Sequence, residues 1–296
     1  MKRWVDYIAK ATTTPYLWTG GVQFGDWLGL DSPSGSYKGL SREDFIASAF
    51  YARSTELLVK AGNVIGEDVT EYGRLHEDIV EAFRRQYPTC LTQTEHVLAV
   101  QFGLAEDLQK TADALAEMIR QDGGRMRTGF VGTPYLLHVL SDYGHTDLAY
   151  SLLLRKEYPS WLYAVGKGAT TVWEHWDGIM EDGSFWDKDM NSFNHYAYGS
   201  VADWVYEKAA GIRPLEEAPG FVRVKIEPHP DRRLKWLMAR IQTRHGRISS
   251  KWTHIEAGVR YEIETAVPAQ IVIGGKEQNV GPGTYTMWGD YKEDLE

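Results

Sequence analysis

Two segments of the chain, residues 12–39 and 166–194, combine acidic, aromatic and histidine side chains with many glycines and few helix signals. The first contains Asp26-Trp27. The second contains Trp173-Glu174-His175-Trp176-Asp177, and His195 follows directly after it. Cleavage of a glycosidic bond needs such a set, because one carboxylic acid protonates the leaving oxygen while a second carboxylate activates water or attacks the sugar. The residue types therefore indicate a candidate glycosidase site.

Each piece taken alone also has a structural interpretation. The Gly-Asp-Trp run at residues 25–27 fits a turn with an anchoring tryptophan. The run Trp173-Glu174-His175-Trp176 fits a partly buried strand with an ion pair, and His195 fits a core histidine bonded to a backbone carbonyl. No spaced histidine and cysteine set like that of a zinc site accompanies His175 and Asp177, so we expect neither a metal nor another cofactor.

The bulk composition is that of a globular protein. Of the 296 residues, 43% are hydrophobic and 25% are charged, and the formal net charge is -9. This charge argues against nucleic-acid and anionic-membrane partners, because both need a basic face. No apolar run approaches membrane-spanning length, and no signal peptide follows the basic residues at the N-terminus. We therefore expect a cytoplasmic location.

The aromatic content is high, with 11 tryptophans and 17 tyrosines. Flat aromatic side chains stack on the apolar C–H faces of sugar rings while polar groups bind the hydroxyls. The same residues also build hydrophobic cores, which is the interpretation we favour for most of them.

Up to about Gly211 the apolar residues repeat with a helical period, which predicts about eight helices. Ser41 with Asp44 three residues on predicts a capping box at the start of one helix, and Gly62 its end. Thr133-Pro134 predicts the start of another. Short links between such helices mean antiparallel neighbours, as in a bundle or an α/α toroid.

After Pro214 the pattern changes to the alternation typical of half-buried strands. Gly274-Gly275 is a plausible hairpin turn. We therefore predict two domains, a helical one at residues 1–213 and a small antiparallel β-sandwich at residues 214–296. The predicted strands are residues 221–226, 234–243, 248–252, 259–265, 270–273 and 284–288.

Several separated blocks of the sequence, read together, resemble the bacterial α-L-rhamnosidases. The similarity runs from near Met1 into the β-domain, in the order and at about the spacing of that family. The blocks include Asp26-Trp27, Thr92-Gln93-Thr94, residues 128–137, Tyr158-Pro159-Ser160-Trp161, residues 168–174 and residues 191–199.

The resemblance implies an (α/α)6 barrel followed by a β-sandwich, and hydrolysis of terminal α-L-rhamnose with inversion. The ligand would be a rhamnose-containing oligosaccharide or glycoside. Glu174 matches the family's general base, and His195 and Trp27 match residues that line the sugar site. Further candidates for sugar contact are Asp26, Trp173 and Trp176.

The sequence departs from the family pattern in one respect. In the family the general acid lies on a segment with an Arg-Asp-Glu-Arg-like stretch, which has no counterpart here. About eight helices are also roughly four fewer than such a barrel contains. We therefore expect an incomplete barrel in a truncated, split or separately encoded piece. Its exposed helix faces would be covered by self-association or by a companion chain.

Two classes of function remain open. One is a rhamnosidase, complete by itself or completed by a partner. The other is a carbohydrate-binding protein, or a fragment, that keeps the sugar pocket without the acid. Glu174 favours the enzyme, because binding alone needs no base. The loop carboxylates that remain as candidate acids are Asp26, Asp31, Asp177, Glu181, Asp182, Asp187 and Asp189.

Overall fold

The structure is a computed structural model that describes residues 1–289, and the chain divides into two compact units, Met1–Gly199 and the residues from Ser200 onward. The first unit is helical, as its apolar period predicts. None of the helices in the described residues is long and apolar enough to cross a membrane. The helices of the first unit are α1 (Lys2–Ala11), α2 (Glu43–Ile65), α3 (Thr70–Gln86), α4 (Gln93–Gln101), α5 (Leu108–Gln121), α6 (Thr133–Asp142), α7 (Thr146–Leu154) and α8 (Trp161–Gly166).

Consecutive helices of this unit pack in pairs, α2 with α3, α4 with α5 and α6 with α7. Helix α4 also packs against α2 and α6, and every residue of α4 from Gln93 to Val100 is buried. A helix buried on all sides carries no single apolar stripe, so α4 belongs to an inner layer. The arrangement is a series of helical hairpins, in agreement with the predicted architecture.

The start of α2 differs from the prediction. The helix begins at Glu43, and the preceding residue, Arg42, makes no capping hydrogen bond through its side chain. The Ser41 hydroxyl instead lies 2.7 Å from the hydroxyl of Thr92. The predicted capping box of Ser41 and Asp44 is therefore wrong, because Ser41 binds Thr92, the residue before α4, in the interior.

The end of α2 also lies later than predicted. The helix continues to Ile65 and ends at Gly66, which has a left-handed φ of 73°. Gly62 lies inside the helix, where it leaves room for the side chain of Val69. Gly62 therefore allows Val69 to approach closely and does not end the helix. The predicted start of α6 is confirmed, with Pro134 in its first turn.

The second unit begins with a helical segment of mixed geometry. It comprises a 3-10 turn (Ala197–Ser200) that crosses the unit boundary, α9 (Val201–Trp204) and one π turn (Val205–Ala209). Gly211 follows with a φ of 79°, as predicted for a helix end. The strands that follow are β1 (Ile212–Pro214), β2 (Val224–Ile226), β3 (Trp236–Thr243), β4 (Gly246–Ile255), β5 (Gly258–Thr265), β6 (Ala269–Ile273), β7 (Lys276–Val280) and β8 (Gly283–Gly289).

These strands form two four-stranded sheets, in the orders β1-β2-β6-β7 and β3-β4-β5-β8. The pairings are antiparallel except for β2 with β6, which is parallel. Ile226 and Ile271 of the first sheet share one hydrophobic cluster with Ile248 and Trp252 of the second, which makes the domain a sandwich. The hairpin turn at Gly274-Gly275 is confirmed, since Ile273 pairs with Lys276. The domain boundary between residues 213 and 214 stays a prediction.

Candidate functional site

Glu174 and His195 meet because the long segment after α8 folds back on itself. The backbone N–H of Glu174 donates to the carbonyl of Ser192 at 2.8 Å, and that of His195 donates to the carbonyl of Val172 at 2.8 Å. The Ser192 N–H donates to Glu174 Oε2 at 2.9 Å. Glu174 Oε1 lies 3.9 Å from His195 Nε2, and both side chains are only partly exposed. One carboxylate oxygen is thus fixed by the backbone, while the other faces His195.

Trp27 reaches this pair through Phe130. The imidazole of His195 stacks on the ring of Phe130, with centroids 5.0 Å apart. The backbone N–H of Phe130 donates to the carbonyl of Trp27 at 2.8 Å. The ring of Trp27 then contacts Tyr37 at a centroid distance of 5.5 Å. Two segments far apart in sequence therefore meet beside Glu174.

A second series of ring contacts leads from Tyr37 back to His175, the residue next to Glu174. The ring of Tyr37 lies 6.0 Å from that of Trp186, and Trp186 stacks on His175 with centroids 3.6 Å apart. His175 directly follows Glu174. We call this series of ring contacts, completed by the Phe130–Trp27 backbone bond and by the peptide bond between Glu174 and His175, the aromatic circuit; its members are Glu174, His195, Phe130, Trp27, Tyr37, Trp186 and His175.

Three members of the aromatic circuit escaped the sequence reasoning. Tyr37 and Trp186 lie in the two segments that stood out for their aromatic content, which was the available signal. Phe130 lies in the block at residues 128–137 that resembles the rhamnosidases. Phe130 and Trp186 carry no acid or base, and Tyr37 is one of 17 tyrosines, so only the folded chain identifies the three.

Asp26 is buried, with 1% of its surface exposed. Its carboxylate accepts hydrogen bonds from the backbone N–H groups of Gly129 at 2.8 Å and Val131 at 2.9 Å, and from the hydroxyl of Thr94. Burial raises the pKa of this carboxyl group. Because both oxygens bind donors of the protein itself, Asp26 joins the segment that carries Trp27 to the segment that precedes α6.

Trp173 and Trp176 are also buried, with 6% and 4% of their surfaces exposed. Trp176 stacks on Tyr198 with ring centroids 3.9 Å apart. Trp173 meets Phe193 edge to face at 5.2 Å. Trp173 thus packs within the segment that carries Glu174, and Trp176 packs that segment against Tyr198.

Several of the remaining loop carboxylates stabilise their own turns. Asp31 accepts a hydrogen bond from the N–H of Leu40 at 3.0 Å. Asp182 and Asp187 each accept from the N–H two residues further on, and Asp187 also accepts from the hydroxyl of Tyr37 at 3.2 Å. The bonds of Asp182 and Asp187 to the N–H two residues on are typical of Asx turns, whereas the bond of Asp31 closes a longer loop. They give these carboxylates a structural role.

Two known domain families match this chain. Residues 1–209 match the family of bacterial α-L-rhamnosidase six-hairpin glycosidase domains, and residues 211–281 match the family of bacterial α-L-rhamnosidase C-terminal domains. The chain belongs to the bacterial α-L-rhamnosidase family. The helical hairpins and the two sheets described above agree with these two domain descriptions.

Named rhamnosidases are similar over most of this chain. An α-L-rhamnosidase of Streptomyces avermitilis is 38% identical over 263 residues, which are 86% of this chain and 24% of that protein. The crystal structure of S. avermitilis α-L-rhamnosidase complexed with L-rhamnose superposes with a TM-score of 0.87 and 32% identity, over 96% of this chain and 30% of that one. The native enzyme of Aspergillus terreus gives a TM-score of 0.89 at 32% identity, over 97% and 35%. The chain thus spans about a quarter to a third of the length of these relatives.

Proposed function

We propose that this rhamnosidase chain provides the base side of an inverting active site for terminal α-L-rhamnosides, with Glu174 as the general base. The observation that carries the proposal is the position of the Glu174 carboxylate, which lies 3.9 Å from His195 Nε2 at the end of the aromatic circuit. The relative that was solved with L-rhamnose is similar over nearly the whole of this chain, which supports rhamnose as the sugar.

The geometry of Glu174 suits removal of a proton from water. The Ser192 N–H binds Oε2 and fixes the carboxylate plane, so Oε1 keeps one orientation towards the site. In the proposed step Glu174 Oε1 takes a proton from a water molecule while the oxygen of that water attacks the anomeric carbon. Attack on the face opposite the leaving oxygen inverts that carbon. His195, beside Oε1, orients the water or a sugar hydroxyl.

Trp27 would supply the apolar surface for the rhamnose ring. Aromatic faces bind the C–H face of a sugar, while hydrogen-bonding groups such as His195 bind its hydroxyls. Asp26 has both oxygens engaged within the protein, so in this proposal it positions Trp27 and does not touch the sugar. Trp173 and Trp176 similarly support the segment of Glu174.

An inverting glycosidase also needs an acid, separated from the base by roughly 6.5–9.5 Å to leave room for the water. We propose that this acid lies on a further segment or companion chain that completes an otherwise incomplete barrel. The exposed aromatic face of α1 supports such a contact, because Trp4 and Tyr7 stack on each other there with 51% and 57% of their surfaces exposed. Self-association through the same face is the alternative form of the proposal.

A second candidate function is binding of rhamnose-containing carbohydrates without catalysis. The hydrogen bonds that Asp31, Asp182 and Asp187 accept within their own loops favour it, because a carboxyl group engaged in its own loop is poorly suited to protonate a leaving oxygen. The aromatic circuit and His195 would serve a binding protein equally well.

Hydrolysis assays on the purified chain separate the two candidates. We expect a trace of activity on nitrophenyl α-L-rhamnoside and almost none on a natural rhamnoside. The reason is that general acid catalysis contributes about 10²–10⁴ in rate, and a nitrophenolate departs with little protonation. Ready turnover of a natural rhamnoside would mean that the chain contains its own acid. Rhamnose binding without any aryl rhamnoside hydrolysis would support the binding protein.

A further inference from the structure

The sheet formed by β3, β4, β5 and β8 carries two exposed tryptophans on one face. Side chains along a strand point alternately to the two faces of a sheet. One face of this sheet packs into the hydrophobic cluster of the sandwich, with Ile248, Trp252 and Ile263 among its members. The other face includes Trp236 of β3 and Trp288 of β8, which are 59% and 66% exposed. Two large aromatic side chains therefore lie on the side of the sheet that faces solvent.

The strand register places these two tryptophans in one row across the sheet. Trp236 pairs with Thr253 of β4, and Thr253 pairs with Arg260 of β5. Arg260 in turn pairs with Trp288. Neighbouring strands lie about 4.8 Å apart, so three spacings separate the two tryptophan backbones by roughly 14 Å. We call this surface the outer sheet face; its members are Trp236, Met238, Lys251, Thr253, Arg260, Glu262, Thr286 and Trp288.

Met238 extends the apolar part of the outer sheet face. It lies two residues after Trp236 on the same strand, points to the same side of the sheet and is 40% exposed. Single exposed apolar side chains are common on soluble proteins, but several on one face mark an interaction site. The outer sheet face is therefore a candidate binding surface.

The charged side chains between the two tryptophans are paired with one another. Lys251 Nζ lies 2.9 Å from Glu262 Oε2, and Arg260 Nη2 lies 3.1 Å from the same oxygen. All three side chains stay partly exposed. An ammonium group has three donor hydrogens and a guanidinium group has five, so both keep further donors after they bind Glu262. The centre of the outer sheet face thus offers hydrogen-bond donors, while the carboxylate offsets part of the positive charge.

This distribution of groups distinguishes between two kinds of partner. A stable protein interface has few charged residues at its centre, whereas the outer sheet face holds Lys251, Arg260 and Glu262 there. A sugar chain suits the surface better, because aromatic rings stack on the C–H faces of sugars while polar groups bind the hydroxyls. A single sugar ring is too short to contact both tryptophans across roughly 14 Å. A chain of several sugar units reaches both.

We propose that the outer sheet face binds an extended, neutral polysaccharide, with one sugar unit stacked on Trp236 and another on Trp288. It is a second carbohydrate site, located in the unit that begins at Ser200, whereas Glu174 lies in the first unit. The choice of a rhamnose polymer as the ligand rests on the proposed function. The row of aromatic and hydrogen-bonding groups does not depend on it.

Native electrophoresis of the full chain in gels that contain a soluble, linear, neutral α-L-rhamnan tests this site. Binding to the polymer slows migration, and the dependence on polymer concentration gives the dissociation constant. We expect Trp236→Ala and Trp288→Ala each to raise that constant at least about tenfold. The control is Val222→Ala, which removes an exposed apolar side chain between β1 and β2 and should stay within about twofold of the wild type. Calorimetry should show unchanged affinity for free L-rhamnose in all three variants, because one sugar unit cannot span the row.

A further variant separates this inference from the proposed function. Trp27→Ala alters the proposed rhamnose site, but it should leave the retardation by rhamnan in place, because a long polymer offers few terminal units to that site. Retardation lost in Trp27→Ala and unchanged in Trp236→Ala and Trp288→Ala would overturn the outer sheet face and support the site beside Glu174. Retardation that depends on Trp236 and Trp288 in a chain that does not bind L-rhamnose would support the outer sheet face and overturn the proposed function.

Two other results would overturn the outer sheet face as a carbohydrate site. One is a wild-type chain that rhamnan does not retard at all. The other is a wild-type dimer, measured by light scattering, that becomes monomeric in Trp236→Ala, because the face would then be a protein contact.

Discussion

Replacing Glu174 by glutamine is expected to lower hydrolysis of nitrophenyl α-L-rhamnoside by about 10²–10⁴-fold, which takes the trace activity of this chain below detection. The amide oxygen of glutamine can still accept the hydrogen bond from the Ser192 N–H, so the local backbone is preserved. The amide cannot take a proton from water, however. The loss of hydrolysis therefore measures the missing base and not a change of the fold.

The matched control is Glu256→Gln. Glu256 is exposed in the turn between β4 and β5, and its replacement makes the same chemical change far from Glu174 in sequence. We expect the control to retain the wild-type rate. A Glu174→Gln chain that keeps more than about a tenth of that rate, a difference under 1.4 kcal/mol, would exclude Glu174 as the base.

Replacing Asp26 by alanine is expected to lower the free energy of unfolding by about 3–5 kcal/mol. The change leaves the N–H groups of Gly129 and Val131 and the hydroxyl of Thr94 without their shared acceptor in a buried position. It also frees the segment of Trp27. Urea denaturation measures the effect as a shift of the midpoint at constant slope.

The control for this change is Asp78→Ala on the exposed face of α3, where we expect a shift within about 0.5 kcal/mol. If Asp26→Ala cost less than about 1 kcal/mol, the carboxylate would not be the link between the two segments. Sugar binding should weaken in folded Asp26→Ala, because Trp27 loses its fixed position.

The parts of the fold with a strong local signal could be predicted from the sequence. The helical period, the strand alternation after Pro214 and the turn at Gly274-Gly275 are local features, and they correspond to elements of the structure. Glu174 and His195 come close because they lie on one segment whose two ends pair through Val172. The family resemblance supplied their roles; spacing alone did not.

The features that could not be predicted depend on partners distant in sequence. Ser41 fits a capping residue until Thr92 is placed beside it. Asp26 resembles a site residue by composition, but donors about a hundred residues later in the chain bind its carboxylate. Trp173 packs on Phe193 of the same long segment, whereas Trp176 packs on Trp161 and Tyr198 outside it. No local pattern distinguishes a buried tryptophan from one that binds sugar.

Titration of the chain with L-rhamnose, followed by calorimetry, tests the central claim that Trp27, His195 and Glu174 form one sugar site. The account predicts saturable binding to one site, weakened at least about tenfold, or 1.4 kcal/mol, in both Trp27→Ala and His195→Ala. Trp236→Ala, which removes an exposed tryptophan of β3, should leave the affinity unchanged. Absence of rhamnose binding, or an affinity that neither Trp27→Ala nor His195→Ala alters, would contradict the account.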